Sequence, residues 1–68
     1  MTLYVKFKTG KLTELHDVDD VYHDGDTIYV YMEDGTIKRC HSCAVKYFTI
    51  EYSTGQRYTC YPAYENHC

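Results

Sequence analysis

The stretch that decides the fold is His23–Thr36, HDGDTIYVYMEDGT. Its centre, Thr27–Met32 (TIYVYM), is β-branched or aromatic at every position except Met32, the composition of a strand. An Asp-Gly dipeptide stands on each side, at Asp24-Gly25 and Asp34-Gly35. Such a dipeptide supplies the left-handed backbone of a hairpin turn. The stretch therefore predicts a strand between two reversals, with Ile37–Cys40 pairing back against it and a strand over Asp20–Tyr22 before it. Val18 and Val21 are three residues apart, which fits a helical turn or a strand with a bulge.

The same period of two extends outward. Leu3, Val5 and Phe7 alternate with Tyr4, Lys6 and Lys8, as a half-buried strand requires. Thr9-Gly10 is a turn and Lys11–Leu15 a return strand. Val45–Tyr52 reads as a strand with Val45, Tyr47, Thr49 and Glu51 on one face and Lys46, Phe48, Ile50 and Tyr52 on the other. Ser53–Gln56 is a turn, Arg57–Tyr61 a last strand, and Pro62 ends it. The expected fold is mostly β: an antiparallel meander of about six or seven short strands, chiefly paired with their sequence neighbours. It forms one domain over 1–68, an acidic meander (1–39) followed by a stapled, zinc-finger-like β-hairpin region (40–68). No run of 18 apolar residues is present, so no spanning helix and no membrane partner are expected. The first eleven residues alternate and carry Lys6, Lys8 and Lys11, unlike a secretory signal, and a reducing cytoplasm is the expected address.

A chain of 68 residues buries only about 60% of its unfolded surface, so a staple is expected. All four cysteines lie late: Cys40, Cys43, Cys60 and Cys68. Cys40-His41-Ser42-Cys43 has the outline of a zinc knuckle. The 16-residue gap to Cys60 lies within the spacing of paired zinc ligands. One hairpin fills that gap and would return Cys60 toward Cys43. Structural Zn²⁺ held by Cys40, Cys43, Cys60 and Cys68 is the expected staple, with His67 or His41 as alternatives to Cys68. Two disulfides in one of three pairings, inert free thiols and a redox pair are the other readings of these thiols. The βαβ context of a redox CxxC is absent. His16 and His23 sit among acidic turn residues, and Asp, His and Gly are what turns are made of. No phosphate loop, GxSxG or HExxH occurs, and no enzyme is expected.

Net charge is −3, unevenly spread. Leu12–Ile37 holds eight acidic residues and no Lys or Arg. Asp17, Asp19, Asp20, Asp24 and Asp26 are the expected partner-binding residues, because such a surface repels phosphates and suits a basic protein. Nine tyrosines exceed what so small a core can hold, and Tyr supplies contact area at low entropic cost.

A very short, acidic, tyrosine-rich β-chain with VYHDGDTIYVYMEDGTIKRCHSC at Val21–Cys43 resembles small proteins of phages and prophages of Gram-positive bacteria. More narrowly it is similar to type II-A anti-CRISPR proteins, one of which is a compact β-rich protein with a zinc site on a three-stranded finger. The resemblance covers size, acidity, β pattern and cysteine placement. It implies a stoichiometric inhibitor of a type II CRISPR effector nuclease, acting in the cytoplasm of the infected or lysogenic host. It also implies docking near the DNA-facing recognition lobe, where target loading would be hindered. Of residues, it implies only the four cysteine ligands. A monomer without direct nucleic-acid contact is expected, and an exposed edge strand leaves dimerisation open. The alternative is a zinc-ribbon-like nucleic-acid-binding or transcription-modulating protein acting through Lys38, Arg39, Lys46 and Arg57.

Overall fold

The computed structural model describes residues 1–62. Seven strands form two antiparallel sheets: β1 (Thr2–Phe7), β2 (Leu12–Leu15), β3 (Val18–Asp24), β4 (Thr27–Met32), β5 (Ile37–His41), β6 (Val45–Glu51) and β7 (Arg57–Cys60). A 3₁₀ turn, Ser42–Ala44, joins β5 to β6. The mostly β meander expected from the alternating pattern is what the chain forms. One pairing is not between sequence neighbours. Strand β1 lies beside β6, giving a four-stranded sheet ordered β2-β1-β6-β7, while β3-β4-β5 form a three-stranded sheet. The first and last hairpins thus share one sheet.

Three hairpins use the same turn. Gly10, Gly35 and Gly55 each have a φ near +90°, and each N–H donates to the carbonyl three residues back. That is a three-residue loop with glycine in the left-handed position, which a Cβ would strain. The β3–β4 turn is tighter. Asp24 pairs with Thr27, leaving only Gly25 and Asp26 in the loop, with Gly25 at φ 49°.

The two sheets bury Leu3, Val5, Val45, Phe48 and Ile50 from one and Val18, Ile28 and Val30 from the other. Fully burying such a side chain contributes about 1.5–3 kcal/mol. Strict alternation would place Val45 on the face opposite Phe48, yet both are buried. The cause is a bulge: Lys6 pairs with Tyr47 and Phe7 with Val45, so Lys46 is an extra residue with no opposite number. A second bulge sits in β3. Val18 pairs with Met32 and Asp20 with Tyr31, leaving Asp19 extra. It resolves the Val18–Val21 spacing in favour of a strand. That strand runs over Val18–Asp24, longer than Asp20–Tyr22. Asp17 makes the corner between β2 and β3 at φ 59°, uncommon for a residue with a Cβ.

Candidate functional site: two sheets of opposite charge

Charge follows the sheets. Residues 1–15 and 45–62, which supply the four-stranded sheet, carry five basic and two acidic side chains, a net of +3. Residues 16–44, which supply the three-stranded sheet, carry two basic and seven acidic ones, a net of −5.

On the acidic sheet, burial of Ile28 and Val30 turns Thr27, Tyr29 and Tyr31 outward. Register then sets three levels across that outer face. Asp20, Tyr31 and Ile37 form one; Tyr22, Tyr29 and Arg39 the next; Asp24, Thr27 and His41 the third. Tyr22 is 53% exposed and Ile37 48%. The rings of Tyr22 and Tyr29 lie 6.2 Å apart, and the Arg39 guanidinium is 5.9 Å from the Tyr29 ring centre. Tyrosines run through the middle, aspartates down the β3 side, and a single arginine stands on the β5 side. Tyr29 and Tyr31 therefore sit on one outer face.

The five aspartates are all exposed but do not form one patch. Asp20 and Asp24 share the outer face, about 13 Å apart at a strand rise near 3.3 Å per residue. Asp17 and Asp19 lie at the corner and the bulge, beside the β4–β5 turn, where the Glu33 N–H donates to the Asp17 carbonyl at 2.9 Å. Asp26 is in the β3–β4 turn, and its carbonyl accepts the Ser42 N–H at 2.9 Å. The β4–β5 turn adds Glu33 and Asp34 to the Asp17 and Asp19 end. Hydrogen bonds from Thr36, first its side chain and then its backbone, hold the Asp34 carboxyl below its usual range.

The cysteines occupy three different settings. Cys40 on β5 is level with Ile28, packs against the core and is half-buried, and that burial pushes its thiol pKa up. Cys60 on β7 is level with Phe48, with Val45, Lys46 and Tyr47 between that level and the 3₁₀ turn holding Cys43. Cys40 is a free thiol, whereas Cys43 is disulfide-bonded. Cys68 and His67 lie outside the described residues, and His41 is exposed at the end of β5. Among the described residues no three His, Cys, Asp or Glu side chains converge on a point that could hold a metal ion.

His16 stays in its acidic surroundings, its Nε2 3.3 Å from Glu14 and its Nδ1 3.5 Å from the Thr2 hydroxyl. It borders an open hollow of about 490 Å³ with Asp17, Glu33, Glu51 and Tyr52. His23 stacks edge-on with Phe48 at 6.5 Å, and its Nε2 is 3.3 Å from the Gly25 carbonyl.

The outer face of the four-stranded sheet is chemically different. Tyr4, Lys6, Tyr47 and Thr49 project there, because Leu3, Val5, Phe48 and Ile50 are buried. Arg57 is held by Glu51, with contacts of 2.7 and 2.8 Å to the same carboxylate oxygen, and lies 5.8 Å from the Tyr4 ring centre. Desolvation, then the Glu51 and Glu14 carboxylates, raise the Tyr4 hydroxyl above its ordinary pKa. Lys38 and Arg39 are on the other sheet and Arg57 is ion-paired, so Lys38, Arg39, Lys46 and Arg57 do not make one basic surface. Comparison with family models, curated proteins and solved structures found no match to this chain.

Proposed function

We propose that this chain is a non-catalytic docking protein whose acidic, tyrosine-lined sheet lies against a basic, nucleic-acid-handling protein surface. We propose further that its target is a type II CRISPR effector nuclease, whose loading with target DNA it hinders stoichiometrically in the cytoplasm of a bacterial host. The observation that carries the reading is the concentration of negative charge on one sheet and its turns, seven of the nine acidic residues described, around exposed Tyr22, Tyr31 and Ile37. Aromatic anchors give contact area, and an excess of one charge sign steers encounter with a channel of the other sign. Such a nuclease holds its heteroduplex in a positively charged channel. The resemblance to anti-CRISPR proteins selects this target among basic ones. A monomer is part of the proposal. It is supported by edge strands β2 and β7 of only four residues, and by the bulge and aspartates along β3.

A structural Zn²⁺ on Cys40, Cys43, Cys60 and Cys68 belongs to the proposal for the reduced protein only. A sulfur in a disulfide is not a thiolate ligand, so the Cys43 disulfide and a four-thiolate site are alternative states of the same side chains. Metal analysis of protein purified under reducing conditions tests this part. One zinc per chain supports it; no zinc removes the metal and leaves the docking reading standing.

The docking test is triple charge reversal, Asp19→Lys, Asp20→Lys and Asp24→Lys. All three side chains are exposed, so Asp19→Lys and Asp24→Lys should each alter stability by no more than about 0.5 kcal/mol, and Asp20→Lys, which loses the 2.8 Å hydrogen bond from the Val21 N–H, by about 0.5–1.5 kcal/mol. The folded variant should lose inhibition of DNA cleavage. Full inhibition by that variant would remove the acidic sheet from the mechanism.

A further inference from the structure

The lysines gather at one end of the other sheet. Lys6 is level with Leu12 on one side and Tyr47 on the other. Lys8 donates its backbone N–H to the Ala44 carbonyl at 3.0 Å, which brings the β1–β2 turn against the chain entering β6. Lys11 closes that turn, its carbonyl accepting the Phe7 N–H at 2.8 Å. Lys46 is the bulged residue next to Tyr47. Lys8, Lys11 and Lys46 are exposed; Lys6 is half-buried, with its ammonium 3.0 Å from the Gly10 carbonyl. The acidic residues of this sheet, Glu14 and Glu51, share its outer face but flank Tyr4, away from the lysine end. Glu14 is one level away beside His16, and Glu51 is bound to Arg57 two levels away.

Aromatic surface adjoins the lysines. The rings of Tyr47 and Tyr61 are 5.7 Å apart and tilted. Tyr4, Leu12, Tyr47, Thr49 and Arg57 line a shallow hollow of about 230 Å³ on the same outer face. A sheet face with the half-buried rings of Tyr4 and Tyr47 and the exposed ring of Tyr61 beside a cluster of ammonium groups matches a single strand, whose bases offer π-faces and whose phosphates run alongside. A duplex hides those π-faces and gains nothing from Tyr47.

We infer that the outer face of β1 and β6, with Lys6, Lys8, Lys11 and Lys46 at its end and Tyr47 as stacking platform, binds single-stranded nucleic acid. The sequence-based expectation of no nucleic-acid contact rests on the acidic Leu12–Ile37 window, and seven of that window's eight acidic residues belong to the other sheet and its turns. The inference is independent of the docking proposal, since it uses another face.

The test is fluorescence anisotropy of a labelled 12-nucleotide oligo-dT across a salt series. Four phosphate contacts give a slope of log affinity on log salt near −3, about a sixtyfold loss between 50 and 200 mM. The exposed-residue variant K8Q/K11Q/K46Q should bring the slope to about −1 without changing the melt. Tyr47→Ala should weaken binding about fivefold or more at constant slope, the effect of one lost stack. Three results would each overturn the inference: no binding at 20 mM salt, binding unaffected by the triple variant, or a duplex or poly-glutamate competing as well as the single strand. The Asp19/Asp20/Asp24 reversal serves as the control that separates the faces. It should abolish inhibition yet leave oligo-dT binding intact or tightened.

Discussion

Removing one residue from β6 should be nearly harmless at one position and ruinous three positions later. Lys46 is the spare residue of a bulge: Val45 and Phe48 face the core because Lys46 takes up the third step between them. Deleting Lys46 leaves Val45, Tyr47 and Phe48 in sequence, which is regular alternation with Val45 still inward. The loss is the bend of the bulge, about 1 kcal/mol or less. Deleting Thr49 instead makes Phe48 and Ile50 adjacent, and adjacent strand residues point to opposite faces. One of two buried side chains must leave the core, at about 1.5–3 kcal/mol. The Thr49–Thr59 hydroxyl contact at 2.9 Å and the register with β7 go with it. The expected sum is about 3–4 kcal/mol. A domain of this size has only about 3–10 kcal/mol in all. At roughly 4–8 °C per kcal/mol, thermal melts followed by circular dichroism should fall by less than about 8 °C for the Lys46 deletion. The Thr49 deletion should fall by more than about 12 °C or not fold. Equal losses from the two deletions would refute the bulge.

Other outcomes follow from single contacts. Ser42 is wholly buried and its hydroxyl donates to the Gly25 carbonyl at 2.8 Å, tying the β3–β4 turn to the 3₁₀ turn. Ser42→Ala should cost about 1–2 kcal/mol in urea unfolding, whereas a loss below about 0.3 kcal/mol would show the tie to be idle. Burial raises the Cys40 pKa, so the neutral thiol favours the folded state. Its contribution is complete below the ordinary thiol pKa near 8.5 and is lost as pH rises through the higher folded value. Melting temperature should therefore drop above about pH 9 and drop less in Cys40→Ala; native Cys40 should also alkylate more slowly at pH 8 than in urea. The Arg57–Glu51 pair is exposed on the arginine side, so Arg57→Ala should cost about 0.5 kcal/mol or less in the same urea titration.

The strands and turns were legible because TIYVYM and the glycine-bearing turns are local signals, satisfied by any partner strand. The pairing of β1 with β6 was not legible, since a period of two says which face is buried and not which strand lies alongside. Both bulges leave one mark in the sequence, a pair of apolar residues three apart inside a strand: Val18 and Val21, Val45 and Phe48. The first spacing fits a bulged strand as well as a helical turn. Strict alternation across the second puts Val45 on the wrong face. The acidic window was plain from composition, but its division was not. The corner at Asp17 and the bulge at Asp19 send part of the charge to one end of β3, while Asp20 and Asp24 stay on the outer face. The lysine cluster was hidden for the opposite reason: Lys46 is 35 residues from Lys11, and only the β1–β6 pairing unites them.

The most direct test of the central claim is size-exclusion co-elution of the chain with a guide-loaded type II CRISPR nuclease, with and without target DNA bound beforehand. The account predicts a stable complex that blocks later DNA loading, is excluded by DNA already in place, and is lost with the Asp19/Asp20/Asp24 reversal. A chain that elutes alone at modest salt, or a complex indifferent to both DNA and the reversal, would contradict it.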